Sequence, residues 1–441
     1  MPTRRNILRW SLASLTALLL PRRDPSLSVL AGGGPTPPGD PSRLSNLDSP
    51  PPDLGAFGDR EDEAFWGAVR KHFLLEPGVV YLNNGSLGPP PLPVLRDLAA
   101  FTRELAGDPS EKMWGPLGNR IEEVRAKVAS LVGASPDDIA LTHNTTEGIG
   151  TVGMGLGLQS GDEVITTDQE HPGGGGVWQY LETRGIRRTA VSLPMPPEPI
   201  DSLPDRLEAA LTPRARVLAL PHLTFGSGHL LPLAEIAALA RKRSLLLAVD
   251  GAHPPGMLPV DLKSLGCDTY ASSSHKWLLS PPGTGFLYVR AEARERIAPR
   301  LFTGTGFAGK TARRYDDFGT RNLAEVLAQG SAVDFHLKVG PARVHRRIQA
   351  LTHHLREGLR SLPRVRILTP SGRAGEGGLT AFAAEGLRHD ALLTRLGAKG
   401  RFVLRPVPEL DAIRVSTGIY NSPADLDLLL EALRATLDSS A

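Results

Sequence analysis

Between residues 79 and 300, short apolar runs alternate with longer runs of helical period, and few folds accept that order. The short runs are Val79–Leu82, Ile139–Thr142, Glu163–Thr167, Arg187–Leu193, Val217–Pro221, Leu245–Val249, Thr269–Ser272 and Gly285–Val289. Between most of them lie Pro93–Leu105, Leu117–Val132, Glu147–Leu156, Val177–Arg184, Leu203–Leu211 and Leu233–Arg243. Parallel strands need a crossover long enough to hold a helix. The order therefore predicts an α/β domain, a mostly parallel sheet with helices on both faces. Leu245–Val249 is apolar without alternation, as in a central strand buried on both sides. After about residue 300 the pattern changes. Two long helices, Leu323–Val339 and Ala342–Leu362, are separated at Gly340-Pro341. Val365–Leu368, Gly378–Phe382, a helix near Asp390–Leu396, Phe402–Leu404, Ala412–Ser416 and a closing helix Pro423–Leu437 follow. They predict a smaller α+β domain over 301–441, beside a large domain over 61–300.

The N-terminus reads as an address. The formal net charge is +3, which alone would suggest an anionic partner. Residues 1–31, however, hold five arginines (Arg4, Arg5, Arg9, Arg22, Arg23) against Asp24, a net of +4, so the remainder carries −1. That removes the global case for nucleic acid. The apolar run Trp10–Leu20 is far short of the roughly 20 residues that span a bilayer, so no stable membrane anchor is expected. A basic stretch with Arg4-Arg5 before a short apolar run resembles a twin-arginine export signal over 1–31, with Val29-Leu30-Ala31 as a cleavage site. The expected partner is the twin-arginine export machinery, and the expected location is periplasmic or extracellular. Residues 32–60, with Gly32-Gly33-Gly34 and Pro50-Pro51-Pro52, read as a disordered linker. The single cysteine, Cys267, rules out a disulfide framework and a cysteine-rich zinc module, and no metal site is expected.

Four segments carry chemistry. Ser272-Ser273-Ser274-His275-Lys276-Trp277 puts a lysine and a histidine after a strand, where a lysine of lowered pKa is a nucleophile and the hydroxyls suit a phosphate. A solvated lysine in a polar turn has the same appearance. Asp250-Gly251-Ala252-His253 ends the buried strand, where open α/β sheets bind ligands; an aspartate that merely caps a turn is the plain alternative. Thr145 and Thr146 stand at a helix start that favours a phosphate, or simply cap that helix. Asp168-Gln169-Glu170-His171-Pro172 presents a histidine able to lie against an aromatic ligand.

In order and spacing these segments resemble the class V aminotransferase family of pyridoxal-phosphate enzymes, and most of all its isopenicillin N epimerase-like branch. The resemblance spans about Val79 to Leu437. It includes Tyr81-Leu82-Asn83-Asn84-Gly85-Ser86-Leu87-Gly88, Gly319-Thr320-Arg321-Asn322, Ile413-Arg414-Val415-Ser416 and Ile419-Tyr420-Asn421-Ser422. It implies a fold-type I PLP-dependent transferase fold and an amino-acid-like substrate. By resemblance Lys276 forms the internal aldimine with pyridoxal 5'-phosphate and moves the α-proton. Asp250 pairs with the pyridinium nitrogen and His171 stacks on the ring. Thr145, Thr146, Ser273 and His275 hold the phosphate. Thr224 and His253 lie near the ring hydroxyl, and Arg414 clamps the substrate carboxylate. Thr320 reaches the phosphate of a neighbouring subunit, which implies a homodimer with shared active sites. Epimerase, lyase and aminotransferase chemistry all stay open. The sequence departs from the cysteine desulfurases, because Cys267 precedes a strand and does not sit on a C-terminal loop. The run Gly173–Gly176 is unusually flexible for a pocket wall.

Two other classes compete. Gly148-Ile149-Gly150-Thr151-Val152-Gly153, with Asp168 beyond it, matches a dinucleotide fingerprint and an NAD-type Rossmann oxidoreductase. Its first glycine, however, lies five residues past the strand and not in the turn. A non-catalytic exported binding protein on a degenerate PLP fold would lack Lys276 or Asp250, and both are present.

Overall fold

The computed structural model describes residues 30–31, 52–193, 195, 200–304 and 306–439. Arg4, Arg5 and the rest of the expected signal up to residue 29 lie outside them, as do residues 32–51. The packed chain starts earlier than the composition suggests. Leu54–Phe57 forms a short 3-10 turn, capped where the Asp53 carboxylate accepts from Gly55 N at 3.0 Å. Leu54 is buried in a cluster with Phe65, Trp66 and Tyr420. Two apolar side chains, Leu54 and Phe57, thus anchor the end of a stretch expected to be linker as far as residue 60.

The large sheet has the predicted form. In spatial order its strands are Ile139–Thr142, Gly285–Val289, Thr269–Ser273, Leu246–Asp250, Ala215–Pro221, Glu163–Thr167 and Arg187–Val191. Only Gly285–Val289 runs antiparallel to its neighbours; the other pairings are parallel. Leu246–Asp250 lies in the middle, buried at every position. Each of its leucines and Val249 contributes about 1.5–3 kcal/mol by leaving water. The sheet divides the apolar interior into two layers, one of them containing Leu141, Leu218, Leu247 and Phe286, the other Ala140, Val217, Leu246 and Leu287.

The glycines of the dinucleotide-like motif lie inside the helix Thr145–Gly155. A Cβ on Gly148 would stand 2.7 Å from Ala271 Cβ, and one on Gly153 would stand 2.9 Å from Val177. They serve close packing of helix on sheet and helix, and the Rossmann reading has no support.

The smaller sheet, Val365–Ile367, Leu379–Ala384, Ala412–Ser416 and Arg405–Val407, is antiparallel. A second ribbon joins Val79–Tyr81 in parallel to Arg401–Val403, which also pairs with Leu30–Ala31. The helix Leu323–Val339 is buried on nearly all sides and packs into the large layer beside Val124 and Phe286. That helix ends at Gly340, whose φ is 98°. The amphipathic helix Pro341–Arg360 lays Leu351, Leu355 and Leu359 on the small domain's core. No helix among the described residues is long and apolar enough to cross a membrane.

Candidate active site

The strands Leu246–Asp250 and Thr269–Ser273 end side by side, which brings Asp250 and Lys276 to one rim. Close approach forces the glycine after Asp250: a Cβ on Gly251 would lie 1.8 Å from the Tyr270 ring. The opening motif seals the lysine loop from above. Gly88 N donates to His275 O at 2.8 Å, and a Cβ on Gly88 would lie 2.0 Å from Lys276 O. Burial pulls the Lys276 amine down to about 8; Arg414 and Arg405 add to this and Asp250 opposes it. Burial pushes the Asp250 carboxyl up against the pull of Lys276. Its Oδ1 accepts from Ala252 N at 3.0 Å.

At one side stands a helix N-terminus. Asn144 caps the helix Thr145–Gly155 by accepting from Glu147 N at 2.9 Å. The cap therefore does not use the threonines. Thr145 N donates to Ser273 Oγ at 3.0 Å and the two hydroxyls meet at 2.9 Å, so Thr145 and Ser273 form one cluster. Thr146 is exposed beside it, and burial holds His275 neutral, at about 4, with Nδ1 buried and unpartnered. The hydroxyls and the helix dipole make this an anion cradle.

His171 and Asp250 are buried in the same site as Lys276. His171 caps the helix Pro172–Glu182, its Nδ1 accepting from Gly173 N at 3.0 Å, so Nε2 carries the proton of the neutral ring. Burial and then Lys276 hold it at about 3. Its edge meets Phe225 at 5.0 Å and 85°. The run Gly173–Gly176, expected to be flexible, is the ordered first turn of that helix, which begins five residues before the expected Val177. A Cβ on Gly174 would lie 2.2 Å from Asp250 Oδ2, and one on Gly173 would lie 2.4 Å from Thr146 Oγ1. Glycine is what lets backbone approach both the carboxylate and the anion cradle.

Arg414 lies on the strand Ala412–Ser416 and is buried. Its Nη1 donates to Phe225 O at 2.7 Å, and its Nη2 to Asn83 Oδ1 at 3.2 Å and Ser86 Oγ at 3.0 Å. Neutral acceptors alone orient it; among the described residues no carboxylate pairs with it. Burial, then Arg405 directly across the strand pair, brings it down to about 9. A buried, oriented and unneutralised guanidinium is a carboxylate site.

Two expected residues differ in use. His253 is buried, and its Nε2 has no partner among the described residues. The Thr224 hydroxyl instead accepts from His229 N at 2.8 Å and meets Ser227 Oγ at 2.8 Å, tying its own turn. Thr320 is exposed in the loop before Leu323–Val339, in a groove of about 800 Å³ with Trp114 and Phe318. Its hydroxyl has no partner among the described residues, and it stands apart from the Thr145–Ser273 cluster of its own chain. Glu170 and Arg405 are site residues that motif reading missed. Burial and the charge of Asp250 push Glu170 up to about 8, while Thr167 donates to it from N and Oγ1. Glu170 stands next to His171 in a quoted motif, which was its only signal. Cys267 lies at the opposite end of the strand from Lys276, fully buried, its thiol pushed up to about 12. Among the described residues no group of three or more His, Cys, Asp or Glu forms a metal site.

The arrangement fits pyridoxal phosphate on its own terms: a buried lysine of lowered pKa beside a buried carboxylate and a buried histidine, an anion cradle, and nitrogens on His253 and His275 that are buried and without a partner among the described residues. The aminotransferase class-V family model matches residues 80–429. The chain is similar to isopenicillin N epimerase of Streptomyces clavuligerus, 32% identical over 392 residues, which cover 84% of this chain and 98% of that protein. It is similarly related to that of Amycolatopsis lactamdurans, at 32% identity over 84% of this chain and 98% of the relative. Among solved structures it resembles a cystine C–S lyase in complex with cysteine persulfide (TM-score 0.73, 27% identity, covering 80% of this chain and 97% of that one). It also resembles a variant of that lyase with glycine linked covalently to its PLP cofactor, with a TM-score of 0.74 at 27% identity, covering 83% of this chain and 98% of that one. The chain therefore belongs to the class V aminotransferase family and is a pyridoxal-phosphate enzyme.

Proposed function

We propose that the protein removes and returns the α-proton of an amino acid or amino-acid derivative, as an epimerase or racemase does, with Lys276 as the proton carrier. The observation that carries this is the buried Lys276 amine, held at about 8, within electrostatic reach of the unneutralised guanidinium of Arg414. Pyridoxal phosphate, when bound, supplies an aldehyde for amines and a protonated ring that withdraws electrons from the α-carbon. Thr145, Thr146, Ser273 and His275 hold its phosphate, His171 covers its face and Asp250 keeps its ring nitrogen protonated. Arg414 takes the substrate carboxylate and so fixes which bond at the α-carbon faces Lys276 Nζ. The neutral amine accepts the proton from one face, and the configuration inverts when a proton is returned to the opposite face. The 32% identity to two isopenicillin N epimerases supports this reading. A desulfurase route through a chain cysteine is disfavoured, because Cys267 is buried at the far end of the strand. The test is an amino-acid panel incubated with the holoenzyme in heavy water. Deuterium at the α-carbon with inversion of configuration is expected. Keto acid or ammonia release without inversion would overturn the epimerase reading in favour of transamination or elimination.

Two further properties belong to the same reading. The enzyme works as a homodimer in which Thr320 completes the partner's phosphate site; Thr320→Ala should weaken cofactor retention, and a monomer in sedimentation would overturn this. Export depends on Arg4 and Arg5; unchanged location after replacing both by lysine would overturn that.

A further inference from the structure

His253 and Trp277 form a pair that the reaction above does not use. Both side chains are buried, at 2% and 3% exposure. Trp277 Nε1 donates to His253 Nδ1 at 3.1 Å. An indole nitrogen can only donate, so Nδ1 must be the bare nitrogen and Nε2 must carry the proton. That N–H is buried and has no partner among the described residues, and leaving a buried donor unsatisfied is unfavourable. Glycines let the chain close on both the ring and the backbone of Trp277: a Cβ on Gly378 would lie 2.7 Å from Trp277 Cη2, and one on Gly256 would lie 2.5 Å from the Trp277 carbonyl carbon. The imidazole faces Lys276, Arg414 and His171; burial first, and then the charges of Lys276 and Arg414, hold it neutral.

We propose that Trp277 is a positioning residue: by donating to Nδ1 it locks His253 as the Nε2–H tautomer, so that His253 presents a donor, never an acceptor, to the cofactor's ring oxygen. The inference rests on the cofactor assignment and not on the epimerase reading. Thr224, the other residue expected at that oxygen, has its hydroxyl committed to its own turn. A donor at the ring oxygen stabilises it most when it bears full negative charge, the form in which the adjoining Lys276 nitrogen has lost its proton. The donor therefore lowers the pH at which that nitrogen titrates.

Two measurements on the holoenzyme test this. With heavy-nitrogen-labelled histidine, NMR should show the His253 proton on Nε2; finding it on Nδ1 in the unmodified protein overturns the proposal, whatever the variants do. The visible band of the lysine-bound cofactor is then titrated with pH. Trp277→Phe keeps most of the bulk but removes the donor, and should raise the midpoint by about half a unit to one unit, the scale of one hydrogen bond. His253→Ala should raise it at least as far, and His253→Gln, which keeps a donor, should restore it. Adding Trp277→Phe to His253→Ala should shift it no further. An unchanged midpoint in folded Trp277→Phe, or an equal shift in both backgrounds, would show that the indole only fills space.

Discussion

The two ends of the central strands are built on opposite electrostatic rules. At the N-terminal end Asp268 accepts from Leu247 N at 2.8 Å and pairs with Arg290 at 2.5 Å, and nearby Asp138 pairs with Arg294. Each charge there has a partner. At the C-terminal end Asp250, Lys276, His253 and Arg414 are buried with only neutral partners or none, and burial moves all of them from their ordinary pKa values. One sheet supplies both ends. The difference lies in what the loops bring: arginines at one end, glycines and a lysine at the other. Perturbed groups mark a functional site only where such pairing is withheld.

The comparison can be broken at either end, and the largest effect is expected at the lysine. Lys276→Ala should lower α-deuterium exchange by about 10²–10⁴-fold and abolish the visible band, while the melting temperature holds. Gly174→Ala pushes a methyl into Asp250 Oδ2 and should lower the rate by up to about 10²-fold, since displacements near 1 Å act on that scale; circular dichroism should show an unchanged fold. At the opposite end Asp268→Ala should act in the reverse manner. It strips the buried Leu247 N–H of its acceptor, a loss of about 1–3 kcal/mol in urea unfolding, with the rate per folded molecule unchanged. The pH profile sharpens the contrast. Because burial lowers Lys276 to about 8, the neutral amine is the base, and exchange should rise with pH and level off above about 8. A limb that instead rose near the ordinary lysine value would mean that the amine is not buried in the working enzyme. The smallest effect is expected for Cys267→Ala, which should leave turnover untouched.

Much of this was legible before the fold was known, for stated reasons. Ile139–Thr142, Glu163–Thr167, Gly285–Val289 and Leu323–Val339 fall where the pattern put them, because short apolar or β-branched runs bounded by turn residues read as buried strands and a much longer apolar run reads as a helix. Lys276, Asp250, His171 and Arg414 were visible through their neighbours in sequence, and the structure gathers all four. What failed did so where composition contradicts packing. Gly173–Gly176 has a very low helix propensity, yet it is helical, and at Gly173 and Gly174 only glycine fits against Thr146 and Asp250. Leu54 and Phe57 sit in a stretch whose average is that of a linker, and two side chains suffice to dock it. The Thr224 hydroxyl is occupied by a turn that no spacing rule reveals.

By itself the sequence determined the α/β alternation, the chemical identity of the lysine, aspartate and arginine, and the family to which they belong, because these depend on local pattern and residue type. Only the tertiary structure decided which groups are paired and which are left bare. Ion pairing, tautomer and pKa depend on contacts between residues far apart in the chain. Cys267 and Lys276 show this on one short segment. They stand nine positions apart, and a single strand carries one into the inert core and the other to the rim where burial lowers its pKa.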